Sequence, residues 1–116
     1  MHFVNIVKPR PMMMEVIEEL YGKDANVDTD GDSNPADSME WTSLWIRKRD
    51  SDLPPVDIEV CTHSSWFKVS SDDIAQEELI ALYLYSNAGD KIRNDQGDLS
   101  EFDIRALEVR VERGRQ

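Results

Sequence analysis

VDIEVCTHSSWFKVSSDDIAQEELIALYLYSNAG, residues 56–89, decides the fold class of this chain. Its first half has a period of two. Val56, Ile58 and Val60 alternate with Asp57, Glu59 and Cys61. Beyond Ser64 and Ser65, Phe67 and Val69 alternate with Trp66 and Lys68. A strand sends successive side chains to opposite faces, so the pattern predicts two half-buried antiparallel strands, with Phe67 and Val69 inward. The period then lengthens to that of a helix. Ser70, Ser71 and Asp72 offer an N-cap, and Asp72, Asp73, Glu77 and Glu78 suit the positive end of a helix dipole. Asn87 and Gly89 suit the exit. The helix expected over 72–87 has a second half, LIALYLY, that is apolar all round. One side must lie on the sheet. The rest needs cover from other elements or a second copy, so a homodimer is an expectation.

Working outward, WTSLWIRKR at 41–49 reads as a third strand, with Thr42, Leu44 and Ile46 on one face and Trp41, Ser43, Trp45 and Arg47 on the other. HFVNIV near the start has strand composition, and KPRP ends it. Pro11 suits the first turn of a helix over 12–21, in which Met13, Val16, Ile17, Leu20 and Tyr21 form one stripe and Gly22 a stop. Residues 24–40 carry acids and turn formers without Lys or Arg and read as an acidic loop. In the tail, Ser100 and Asp103 resemble a capping box, while Leu107, Val109 and Val111 alternate with Glu108, Arg110 and Glu112. The alternation predicts a strand over 106–112 and leaves 99–105 open. The expected architecture is one α+β domain over residues 1–116: an antiparallel sheet of four to five strands packed against one long and one shorter helix.

The totals narrow the function. A chain of 116 residues, 40% of them apolar, can bury one core. A net charge of −11 opposes direct contact with nucleic acid or an anionic membrane and favours a basic protein partner. Cys61 is the single cysteine, so no internal disulfide forms and a reducing, cytoplasmic setting is expected. No signal peptide is visible at MHFVNIVKPRP, and the longest apolar run, 79–85, is too short to span a bilayer.

Three constellations carry chemistry. Residues 26–37 place Asn26, Asp28, Asp30, Asp32, Asn34 and Asp37 at the ligand positions of an EF-hand loop, with Gly31 at its sixth position. Against a calcium site, the ends are Asn and Asp where the motif has Asp and Glu. Ser33 stands where an apolar residue pairs loops, and Pro35 opposes an exit helix. The rival reading is a solvated acidic loop. Cys61 and His63 lie two apart on one strand, which admits a nucleophile pair and so a small hydrolase. No third ligand set, phosphate loop or dinucleotide-binding glycine pattern accompanies them, so neither an enzyme nor a cofactor is expected. Trp41, Trp45 and Trp66, on the outward phase of their strands, are either interface anchors or core residues beneath the first helix.

From residue 39 to 99 the chain resembles small immunity proteins of bacterial polymorphic-toxin and contact-dependent inhibition systems. The resemblance is carried by EWTSLWIRKR, VDIEV, SWFKVSSDDIAQEELIALYLYSNAGDKI and NDQGDLS. It lies in a strand opened by Trp, a short strand ending Val-x-Ser, a helix with Ala-x-x-Leu, a glycine exit and a further strand. A second glycine after the helix is missing, since Asp90 follows Gly89. The resemblance implies a non-catalytic inhibitor, made in the cytoplasm, that binds one cognate toxin. It assigns no residue a role by position. The acidity fits independently, because a nuclease toxin presents a basic cleft that an acidic partner can find and fill. The contact residues then expected are Asp28, Asp30, Asp32, Asp37 and Glu40, with Trp41, Trp45 and Trp66 as apolar anchors. A nucleic-acid-mimicking inhibitor is the nearest alternative.

Overall fold

Alternating apolar residues build one antiparallel sheet in the computed structural model, which describes residues 1–31 and 38–114. The elements run β1 (His2–Ile6), α1 (Met13–Tyr21), β2 (Val27–Gly31), β3 (Ser43–Lys48), β4 (Val56–Val60), β5 (Trp66–Ser71), α2 (Ile74–Ala88), β6 (Gly89–Asn94), β7 (Gly97–Asp98) and α3 (Glu101–Gly114). The strand order is β2-β3-β4-β5-β1-β6-β7. The α+β class stands. The sheet has seven strands among the described residues, not four to five, and three helices accompany it, not two.

The register sets the faces. Val4 lies opposite Phe67 on one side and Ile92 on the other; Ile58 lies opposite Val69 and Leu44, and Ile46 opposite Val56. All these residues are buried on one face of the sheet. Helix α2 lies across that face over β1, β5 and β6, and α1 reaches β3. Ile80, Ala81, Leu84 and Ala88 enter the core from α2 and Val16 from α1. Asp73 caps α2 by accepting from the Ala75 amide at 3.1 Å. At the other end, α2 passes directly into β6 at Gly89. A Cβ there would sit 2.6 Å from Val4 Cγ1, so only glycine lets the strand start so close to β1.

A buried polar pair closes this core at β1. His2 and Glu77 are 6% and 3% exposed, and His2 Nδ1 lies 2.6 Å from Glu77 Oε2. The second carboxylate oxygen accepts from the Ser71 amide at 3.1 Å. Burial of the pair is tolerated because both oxygens are bonded.

The tail corrects the sequence reading. Residues 106–112 are helical within α3, not a strand. Ser100 Oγ accepts from the Asp103 amide at 3.1 Å and Asp103 Oδ2 accepts from the Ser100 amide at 3.1 Å, a complete capping box. Ile104, Leu107 and Val111 then pack toward the core, while Val109 stays 46% exposed. With α1 on one flank of α2 and α3 on the other, the second half of α2 is partly covered within the chain. Leu79, Leu82, Tyr83 and Tyr85 stay half-buried between the helices, so the chain supplies part of the cover for which a second copy was expected.

The stretch over 24–40 is also corrected. Its first part forms the edge strand β2, paired with β3 from Val27↔Lys48 to Gly31↔Leu44. Residues 32–37 lie outside the described residues.

Candidate protein-binding face

The opposite face of the sheet carries no helix among the described residues. It is built by the alternate phase of each strand: Asp28 and Asp30 on β2, Trp45 and Arg47 on β3, Asp57 and Glu59 on β4, Trp66 and Lys68 on β5, Phe3 and Asn5 on β1, Lys91 and Arg93 on β6. Phe3, Trp45 and Trp66 are half-buried there and stand apart from the hydrophobic core. An antiparallel sheet commonly leaves one face to solvent, but that face is normally polar. Three aromatic side chains on a rigid backbone are the composition of a contact surface.

Of the tryptophans expected as anchors, Trp45 and Trp66 lie on this face and Trp41 does not. Trp41 precedes β3 and is fully buried. Its indole N–H donates to the Pro11 carbonyl at 2.7 Å and its ring meets Phe67 edge-on at 5.7 Å. Trp41 is therefore a core residue, because the chain turns inward before the strand begins. Helix α1 does not cover Trp45 or Trp66, since it lies on the other side of the sheet.

Electrostatics divide the face. Near β2, the Asp28 carboxylate accepts from Arg47 at 2.7 Å and from Arg49 at 2.5 Å. These bonds, Arg47's first and then Arg49's, hold its carboxyl below the usual carboxylate range. Glu59 pairs with Lys68 at 2.9 Å. Among the described residues Asp57 has no such bonded partner. Burial, and then the neighbouring Glu59, push its carboxyl up, against the pull of Lys68. Toward β6, Arg93 lies over the Trp66 ring at 3.7 Å.

The raised Asp57 makes a stability prediction. A folded-state carboxyl above its unfolded value of 3.8 holds its proton more tightly in the native state. Stability is then greatest below 3.8 and is lost as pH rises through the folded value. Asp57→Asn should raise the urea midpoint at neutral pH. The gain should vanish as pH falls below 3.8. Equal gains at both ends of that range would show that charge is not the cause.

The remaining expected site residues scatter. Asn26 precedes β2, and Asp28 and Asp30 lie within that extended strand, so the EF-hand frame is broken at its first half. Asp28 spends its oxygens on arginines, and Asp30 Oδ1 accepts from its neighbour's amide, Gly31, at 2.8 Å. Asp32, Asn34 and Asp37 lie outside the described residues. Among the described residues no three His, Cys, Asp or Glu side chains converge as a metal site. Glu40 is exposed and lines a pocket with Ile6, Val7, Lys8 and Arg10, past the end of β1. Cys61 and His63 do not share a strand. Strand β4 ends at Val60, and both residues fall in the turn to β5, with His63 at φ 56°.

Phe3, Asp57, Lys91 and Arg93 were not among the expected contact residues. Phe3 and Asn5 alternate with Val4 and Ile6, so the signal for β1 was present. Lys91 and Arg93 flank a single apolar residue, Ile92, which is too short a pattern to declare a strand. No known protein family, curated protein or solved structure matches the chain.

Proposed function

We propose that this protein acts by binding another protein through the uncovered face of its sheet, as an inhibitor and not a catalyst. The observation that carries the reading is the sheet itself. One face is sealed by α1 and α2, and the other presents Phe3, Trp45 and Trp66 half-buried on paired strands. Rigid aromatic side chains cost little conformational entropy when they are covered, which suits them as anchors.

The finer reading is an immunity protein, made in the cytoplasm, that neutralises a cognate toxin. Its support is the resemblance over residues 39–99 together with the net charge of −11, which favours a basic partner such as a nuclease domain. Asp30 remains as a steering charge on the face, while Asp28 is already neutralised by its two arginines. No helix among the described residues is long and apolar enough to cross a membrane.

The test starts from the neighbouring genes: a toxin domain encoded immediately upstream is coexpressed with this chain, and the absence of one counts against the immunity reading. Wild type should restore growth, and a folded Trp45→Ala, Trp66→Ala double variant should not. Loss of each anchor should speed dissociation by a factor of roughly 30 if the anchor is worth about 2 kcal/mol. A double variant that protects and dissociates like wild type would overturn the reading.

A further inference from the structure

The uncovered face also specifies what its partner must bring to it, on the reading that this face is the binding surface. Four ring systems in the chain have a cation of the chain's own beside them. Arg93 lies 3.7 Å from the Trp66 centroid, Arg10 lies 5.8 Å and 5.1 Å from Trp41 and Phe67, and Lys48 lies 5.8 Å from Tyr21. Trp45 has none among the described residues. Its nearest basic neighbour along the strand, Arg47, is turned to Asp28 at 2.7 Å.

The register places a carboxylate on each side of Trp45. Asp30 is its partner on β2 and Asp57 its partner on β4. Directly paired residues on one sheet face stand close enough for their side chains to meet. Among the described residues neither carboxylate forms an ion pair, although Lys68, bonded to Glu59, also draws on Asp57. Asp30 accepts from the Gly31 amide, and Asp57 is crowded by Glu59. The diagonal acid Asp28 is neutralised by two arginines. Among the described acids around Trp45, the two that flank the ring are the ones without an ion pair.

We infer that a guanidinium or ammonium side chain of a basic protein partner seats on Trp45 between Asp30 and Asp57. The indole face attracts the cation and the two carboxylates accept its N–H groups. An arginine suits the seat best, because its plane can stack on the ring while its edges reach both flanks. The net charge of −11 attracts such a partner over a longer range. Trp66 offers no equivalent seat, because Arg93 already fills it.

The probe is N-acetyl-arginine amide titrated into the full chain, with N-acetyl-citrulline amide as its uncharged counterpart. The readout is the indole N–H resonances of Trp45 and Trp66, with Trp45 assigned through a folded Trp45→Phe variant. The arginine probe should shift Trp45 and leave Trp66 in place, and citrulline should shift neither. An Asp30→Asn, Asp57→Asn double variant should bind the arginine probe about fivefold more weakly or worse. Asparagine preserves the shape of the seat, so the variant tests charge and not folding. A Trp45 signal that ignores arginine, follows citrulline equally, or responds as strongly in the Asn variant would overturn the inference. The binding reading fails separately: loss of toxin protection in the tryptophan variants would uphold the face even if the arginine seat were refuted.

Discussion

Trp41→Ala should lower the unfolding free energy by about 3–5 kcal/mol, whereas Trp45→Ala should change it by less than about 1 kcal/mol. The two residues sit four apart in the sequence and read alike there. Trp41 is fully buried, and its loss removes the largest fully buried side chain in the chain. The truncation also strips the edge-on contact with Phe67 and leaves the Pro11 carbonyl without its donor. Arg10, which lies 5.8 Å from the Trp41 centroid, loses that support as well. Trp45 faces outward over paired strands, so its removal opens no cavity. Urea unfolding of both variants decides the matter. Equal destabilisation would mean that Trp45 is a core residue and that the uncovered face has been misassigned.

Glu77→Ala should cost roughly 3 kcal/mol, a large effect for a single carboxylate. The substitution leaves His2 buried without its 2.6 Å partner and the Ser71 amide without its acceptor. Glu77→Gln keeps the shape and can still accept from Ser71, so it should cost less than half as much. The comparison separates the loss of the carboxylate's charge from the loss of its volume and its bond to Ser71. If the alanine variant unfolds within about 1 kcal/mol of wild type, water reaches His2 and the pair is a rim contact and not a closure of the core.

The sequence was legible where one period ruled a whole segment. Residues 56–60 and 66–69 alternate, and 72–89 carry a cap, a helical period and a glycine exit. Both formed as expected, with Phe67 and Val69 inward. It misled where two periods fit the same letters. Leu107, Val109 and Val111 alternate, yet Ile104, Leu107 and Val111 also fit one helical stripe. The capping box at Ser100 and the bare flank of α2 settled the choice, and the second of these is visible only in three dimensions. Strand β2 was hidden by its composition, since VDTDG reads as a turn until β3 supplies an edge to pair with. At the candidate site, Trp45 and Trp66 were legible because their strands alternate. Trp41 was misplaced because phase alone does not tell where a strand begins. The pairing of Trp45 with Asp30 and Asp57 depends on register, which links residues distant in sequence.

The strand order bears on how the chain is made. β1 lies between β5 and β6, so Val4 pairs with Phe67 and with Ile92. Strand β1 is made before either neighbour and must wait for both until most of these residues have been synthesised. Until then the apolar phase of β1 is unsatisfied, and α2 has no floor to lie on. Local pieces such as the β4–β5 hairpin can form early, but closure of the sheet must follow release of the late segments. Until β6 has been made, the apolar side of β1 lacks one of its two neighbours, and the chain cannot yet shield its own centre.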